Sequence, residues 1–218
     1  MNNAFFTICS LIYIILLMIV FFLRKKIFKL ENKIYSVLII SNFIGLIMEL
    51  FSYILLVKDI DVTSVFYTSL TKCIICYYLI WISLFTLYVY VISRNEKEIK
   101  DNFYSIWNKF LFMEAFLIIA ILVLPIKFNL NENIYPYGMC IYTMYFISSI
   151  CILIMLIIMI KNIKNIMRKK FIPLFSFLIL GIFVMTLQAL FPSVILLTSC
   201  ETFITFLMYF TIENPDLQ

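Results

Sequence analysis

Residues 4–33 read AFFTICSLIYIILLMIVFFLRKKIFKLENK, and this passage decides the fold. Residues 4–23 carry no charge, and Arg24, Lys25, Lys26, Lys29 and Lys33 follow directly. A helix needs about 20 apolar residues to cross the hydrocarbon core of a bilayer. Positive charge after a first span holds that side in the cytoplasm and sends the N-terminus out. Met1-Asn2-Asn3 lacks the basic segment that opens a cleavable signal, so this run is expected to stay as a membrane helix.

The same pattern repeats along the chain. Further apolar runs cover residues 34–57, 65–93, 110–126, 138–160, 171–191 and 194–211. The links after the first, third and fifth runs are basic: Arg94, Lys97, Lys100 and Lys109 follow the third, and Lys161, Lys164, Arg168, Lys169 and Lys170 the fifth. Of the 17 Lys and Arg, only Lys58, Lys72 and Lys127 lie elsewhere. The expected fold is therefore all-α, a polytopic bundle of seven transmembrane helices over residues 1–212. Its N-terminus is outside and its C-terminus cytoplasmic, and residues 213–218 begin a cytoplasmic linker. The cytoplasmic membrane of the cell is the implied location.

Composition agrees. The chain is 65% hydrophobic and 13% charged, against about 45–50% and about a quarter in soluble domains. The net charge of +5 sits at helix ends, which points to anionic lipid as a partner and not to nucleic acid. Ile99, Phe103, Ile106, Trp107 and Phe110 recur at three and four residues. They describe either an amphipathic helix on the inner membrane surface or an extension of the third span. Residues 127–137 form the largest extracytoplasmic loop. Glycine is confined to Gly45, Gly138 and Gly181, which disfavours a rocking carrier and suggests a bundle packed side chain to side chain.

The chain contains no histidine. That removes the common general base, the commonest metal ligand and a phosphoacceptor. Phosphate loops, metalloprotease motifs and serine elbows are missing too, so no catalytic residue, metal or cofactor is expected. The Cys73-Ile74-Ile75-Cys76 pair has no second pair to complete a site, and the six cysteines read as small hydrophobes.

Charges inside a membrane cost about 2.5–3.5 kcal/mol each on insertion scales. Glu114 lies just beyond Lys109, where local pairing or snorkelling accounts for it. Glu49, Lys72 and Glu201 differ, because counting along their helices puts all three at one depth, roughly 10–12 Å below the outer ends. Gln188 falls slightly above them. The expectation is a polar cluster of Glu49, Lys72, Glu201 and Gln188 that lines a ligand pocket or locks a signalling conformation. The alternative is a buried ion pair that fixes helix register.

The final stretch, Phe210-Thr211-Ile212-Glu213-Asn214-Pro215-Asp216, resembles the junction that closes the membrane region of Firmicutes-type sensor histidine kinases. The Asn214-Pro215 step suits a helix break, and Pro215 suits the first turn of a new helix with Asp216 near its positive end. The resemblance implies a sensor half of a two-component system, with Glu213, Asn214, Pro215 and Asp216 transmitting the signal. It also implies a homodimer, an extracellular ligand and a kinase module supplied in cis or in trans, since the phosphorylated histidine and ATP-binding domain are not in these residues. A small-molecule transporter that uses the same cluster as its binding site is the alternative function. An accessory membrane protein without a ligand is a third.

Overall fold

A computed structural model describes residues 2–23, 30–58, 61–94, 96–129, 134–163, 168–192 and 196–213. The chain forms helices α1 (Asn2–Leu23), α2 (Leu30–Val57), α3 (Val65–Ile92), α4 (Glu96–Val123), α5 (Met139–Lys161), α6 (Arg168–Leu190) and α7 (Leu197–Met208). A π-helical turn, Tyr209–Glu213, continues α7. Six helices are long and apolar enough to cross a membrane, whereas the seventh, Leu197–Ile212, is shorter. The protein is an all-α helical bundle with the character of a multi-pass membrane protein.

The helices run alternately up and down, as short links require. Glu31 at the start of α2 pairs with Lys170 of α6 at 3.1 Å. Phe21 of α1 packs on Tyr35 of α2 and on Tyr209 after α7. These contacts gather the starts of α2 and α6 and the ends of α1 and α7 at one pole, the basic end. At the other pole Tyr67 of α3 packs on Phe128, near buried Val62 and Leu55. There the segment expected as a plain loop forms a two-stranded ribbon of β1 (Lys127–Asn129) and β2 (Tyr135–Tyr137), with Phe128 opposite Pro136. The Asn129 amide donates to Tyr135 Oη at 2.8 Å, satisfying polar groups that α-helix cannot. At the same pole Ser64 caps α3 by accepting from the Tyr67 amide. The Thr63 amide and hydroxyl hold the Asp61 carboxyl below its usual range.

α3 is the axis of the bundle: 67% of its membrane-length segment is buried, against 11% for α4 at the periphery. α1 and α2 each bury a seam of alternating three- and four-residue spacing: Thr7, Ser10, Ile14, Leu17 and Phe21 on one, Tyr35, Leu38, Asn42, Gly45 and Glu49 on the other. That period belongs to left-handed packing of near-parallel helices. The outward faces, such as Phe112, Phe116 and Val123 of α4, are apolar and exposed, as lipid contact demands.

One expectation is corrected here. The amphipathic segment around Trp107 is neither a separate surface helix nor an extension of α3. It is the first part of α4, continuous with the fourth apolar run. Ile106, Trp107 and Phe110 pack against the main core, and Trp107 stacks on Phe110 at 5.7 Å. Burial of its apolar face gives that stretch a protein partner.

α5 starts from Gly138, whose φ of 110° is open to glycine alone. Gly138→Ala is expected to cost about 1–3 kcal/mol of stability through backbone strain. Gly181→Ala, where an added Cβ meets nothing within 4 Å, should cost nothing. Unfolding in a mixed-micelle denaturant titration compares the two, and equal stability of both variants would contradict the strained turn.

Candidate functional site

Tyr35, Asn42 and Glu49 stand seven residues apart on α2, so they share one face two turns apart. Opposite them α7 presents Thr198, Glu201, Thr202 and Thr205, spaced at three, four and seven residues on one face. All seven side chains are buried. In hydrocarbon each polar group must find its partner inside the protein. The two stripes therefore zip together.

At the top of this ladder Glu49 Oε1 accepts from Thr7 Oγ1 of α1 at 2.9 Å and from Tyr53 Oη at 3.4 Å. Its Oε2 accepts from Thr198 Oγ1. Tyr78 Oη of α3 lies 3.1 Å from the same Thr198 oxygen, and since that hydroxyl proton goes to Glu49, Tyr78 is the donor there. In the middle, Tyr77 Oη donates to Glu201 Oε2 at 2.5 Å. Asn42 Oδ1 lies 3.2 Å from both Tyr77 Oη and Thr202 Oγ1. Lower down, Thr205 Oγ1 donates to the Glu201 carbonyl at 2.7 Å, and Tyr35 Oη donates to the Thr205 carbonyl at 2.5 Å. Beside the ladder Ser10 of α1 bonds Ser199 of α7 at 3.1 Å.

Every side-chain donor to the two carboxyl groups is a hydroxyl; among the described residues no Lys or Arg bonds either one. Tyr77 is held in place by a close approach of helices. Its ring covers Gly45 of α2 so tightly that a Cβ there would lie 2.3 Å from the ring. A bare glycine backbone is what lets the phenol reach Glu201.

Of the four residues expected to cluster, the structure brings together Glu49 and Glu201. Lys72 lies elsewhere: its ammonium donates to the Leu122 carbonyl at the end of α4, 2.6 Å away. It sits roughly 120–140° around α3 from Tyr77 and Tyr78, at about 100° per residue. Gln188 is buried at the α6–α7 link, where its Oε1 accepts from the Leu196 amide at 2.7 Å. It joins two helices and not the carboxyl network.

Glu114 also departs from expectation. It is 5% exposed, and among the described residues neither carboxyl oxygen has a partner within hydrogen-bond distance, so it neither snorkels nor pairs with Lys109. Of the junction residues, Glu213 ends the π-helical turn, and Asn214, Pro215 and Asp216 lie outside the described residues. Sequence reading passed over Thr7, Asn42, Tyr77, Tyr78, Thr198, Thr202 and Thr205, because uncharged polar residues stand out little in apolar helices. Their signal was periodic: Tyr35, Asn42 and Glu49 at seven, and four polar residues along one face of α7.

No protein-family model, curated protein or solved structure matches this chain.

Tyr77→Phe is expected to destabilise the bundle by about 1–3 kcal/mol, because Glu201 loses its donor while still buried. Gly45→Ala should be at least as damaging in wild type but nearly neutral in a Tyr77→Ala background, where the obstructing ring is gone. A double-mutant cycle in the same unfolding assay reads this coupling. Additive costs would refute the proposed contact.

Proposed function

We propose that this chain is a membrane-embedded input module of a two-component signalling system, in which α7 carries a signal toward the cytoplasm. The observation that supports this most is the placement of polar bonding on α7. The stripe binds α2 and α3, and Ser199 beside it binds α1, so a shift of any of them acts on the helix that leads to the Glu213–Asp216 junction. In this reading the basic end faces the cytoplasm of the cell, α7 is the seventh span, and the N-terminus lies outside.

The hydrogen bonds themselves allow two arrangements. Tyr77 and Thr202 each carry one hydroxyl proton. Each has a shorter acceptor, Glu201 Oε2 at 2.5 Å and the Thr198 carbonyl at 2.8 Å, and each has Asn42 Oδ1 at 3.2 Å as the alternative. A small rotation of α7 exchanges one pattern for the other, and the second withdraws the Tyr77 donor from Glu201, so the two patterns differ in energy. Signalling requires a bistable element of this kind, biased by differential contacts in its two states.

The π-helical turn adds to this. Tyr209 and Ile212 are buried against the bundle at the basic end, and Tyr209 touches Phe21 of α1. Wider turns recur at functional sites, where a helix gains or loses a residue of register. Homodimerisation and an extracellular ligand follow from the family resemblance of residues 210–216. The kinase module would act in cis or in trans.

The test joins residues 1–218 in frame to the catalytic half of a histidine kinase and measures autophosphorylation in membranes. Asn42→Leu and Thr202→Val should each shift the basal rate several-fold, whereas lipid-facing Ile19→Leu should leave it unchanged. Output indifferent to all three, in variants that fold as wild type, would sink the reading. Solute uptake would then become the property to measure.

A further inference from the structure

Glu201 belongs to two environments. One carboxyl oxygen takes the Tyr77 proton inside the ladder, and no described residue donates to the other. Glu201 also lines a cavity of about 60 Å³ between α3, α5, α6 and α7. Its wall is mostly apolar, with Phe85, Met155, Phe177 and Leu178 among the residues that form it. Polar groups interrupt the wall at few places. Trp81 lines it, is 3% exposed, and has an indole N–H without an acceptor among the described residues. Ser148 contributes a hydroxyl for which no bond is formed within the described residues.

The cavity is open on one side. α5 and α6 pack sparsely on each other, and Tyr145, Ser148, Gly181 and Met185 along that gap are only partly buried. Gly181 widens the gap, since a Cβ there would meet nothing within 4 Å. Since Tyr145, Ser148, Gly181 and Met185 both line the cavity and are partly exposed, its opening lies along the α5–α6 gap.

We infer that this cavity is an intramembrane binding site for a small amphiphile with an alcohol headgroup, taken up laterally from the lipid phase. A hydroxyl both donates and accepts, so it answers Glu201 and Trp81 together. About 60 Å³ holds a headgroup and a few carbons, not a whole chain. The remainder of the tail stays between α5 and α6 in contact with lipid. Apolar walls with few placed polar groups are the usual make-up of such sites. An alkane would leave both polar groups unanswered, and a charged solute would not partition into the bilayer.

This site stands independently of the signalling proposal, and its test reads binding and not kinase output. Residues 1–218, purified and placed in lipid nanodiscs, are irradiated with a medium-chain alcohol that carries a diazirine on its chain and an alkyne tag. Labelling is expected on α5, α6 and α7 peptides facing the cavity. Decanol should compete, decane should not, and decyl methyl ether, which accepts but does not donate, should compete about tenfold more weakly. Gly181→Phe should fill the space and abolish labelling, while lipid-facing Ile179→Phe should leave it intact. Should Gly181→Phe fail to fold, Ser148→Ala and Gly181→Leu replace it. Equal competition by all three compounds, or labelling that survives filling of the cavity, would overturn the site.

Discussion

Two carboxyl groups buried in a lipid-facing bundle set the terms for the rest of this structure. Glu49 and Glu201 are 3% and 7% exposed, and their side-chain partners are hydroxyls from α1, α2, α3 and α7. A buried polar group without a partner costs far more than a made hydrogen bond returns. Each helix that supplies a donor is therefore fixed in rotation and in depth. Apolar packing alone would leave those helices free to turn, because lipid tails compete equally well for an apolar face.

Several details of the fold follow from that constraint. Tyr77 reaches Glu201 because α2 offers a glycine where the ring passes. Thr198 donates to Glu49, while Thr202 and Thr205 donate to carbonyls of their own helix, so α7 stays satisfied although it is short. The shortness of α7 matters less for a helix bonded on three sides than it would for an isolated span. The adjoining face of α7 meets the cavity, where Glu201 is the common element. The cavity wall and the ladder therefore share one carboxyl group.

Much of this was legible in residue order, and the limits are instructive. Helix rise is constant, so counting from helix ends assigned Glu49, Lys72 and Glu201 to one level. Azimuth is another matter. The phase of α3 turns Lys72 to Leu122 on α4. Glu114 was read as a residue of the helix end near Lys109, but its face of α4 turns inward. The amphipathic stretch around Trp107 carried the correct period and lacked any mark to say which neighbouring span it would join. Threonine, asparagine and tyrosine escaped notice because attention went to formal charge, while desolvation penalises an unpaired hydroxyl or amide as well.

The sequence by itself determined that this is a helical bundle with multi-pass membrane character, where most of its apolar runs lie, and which links are basic. Those properties depend on local hydrophobicity, on length and on charge, all of which are sums over neighbours in the chain. The tertiary structure decided which polar residues meet: Asn42 with Tyr77 and Thr202, Glu49 with Thr7 and Thr198, and Lys72 with none of them. It also decided that α5 and α6 part to leave a cavity beside Glu201. Such pairings depend on how each helix is rotated about its axis. That rotation is chosen only when all the buried donors and acceptors of the bundle are satisfied together.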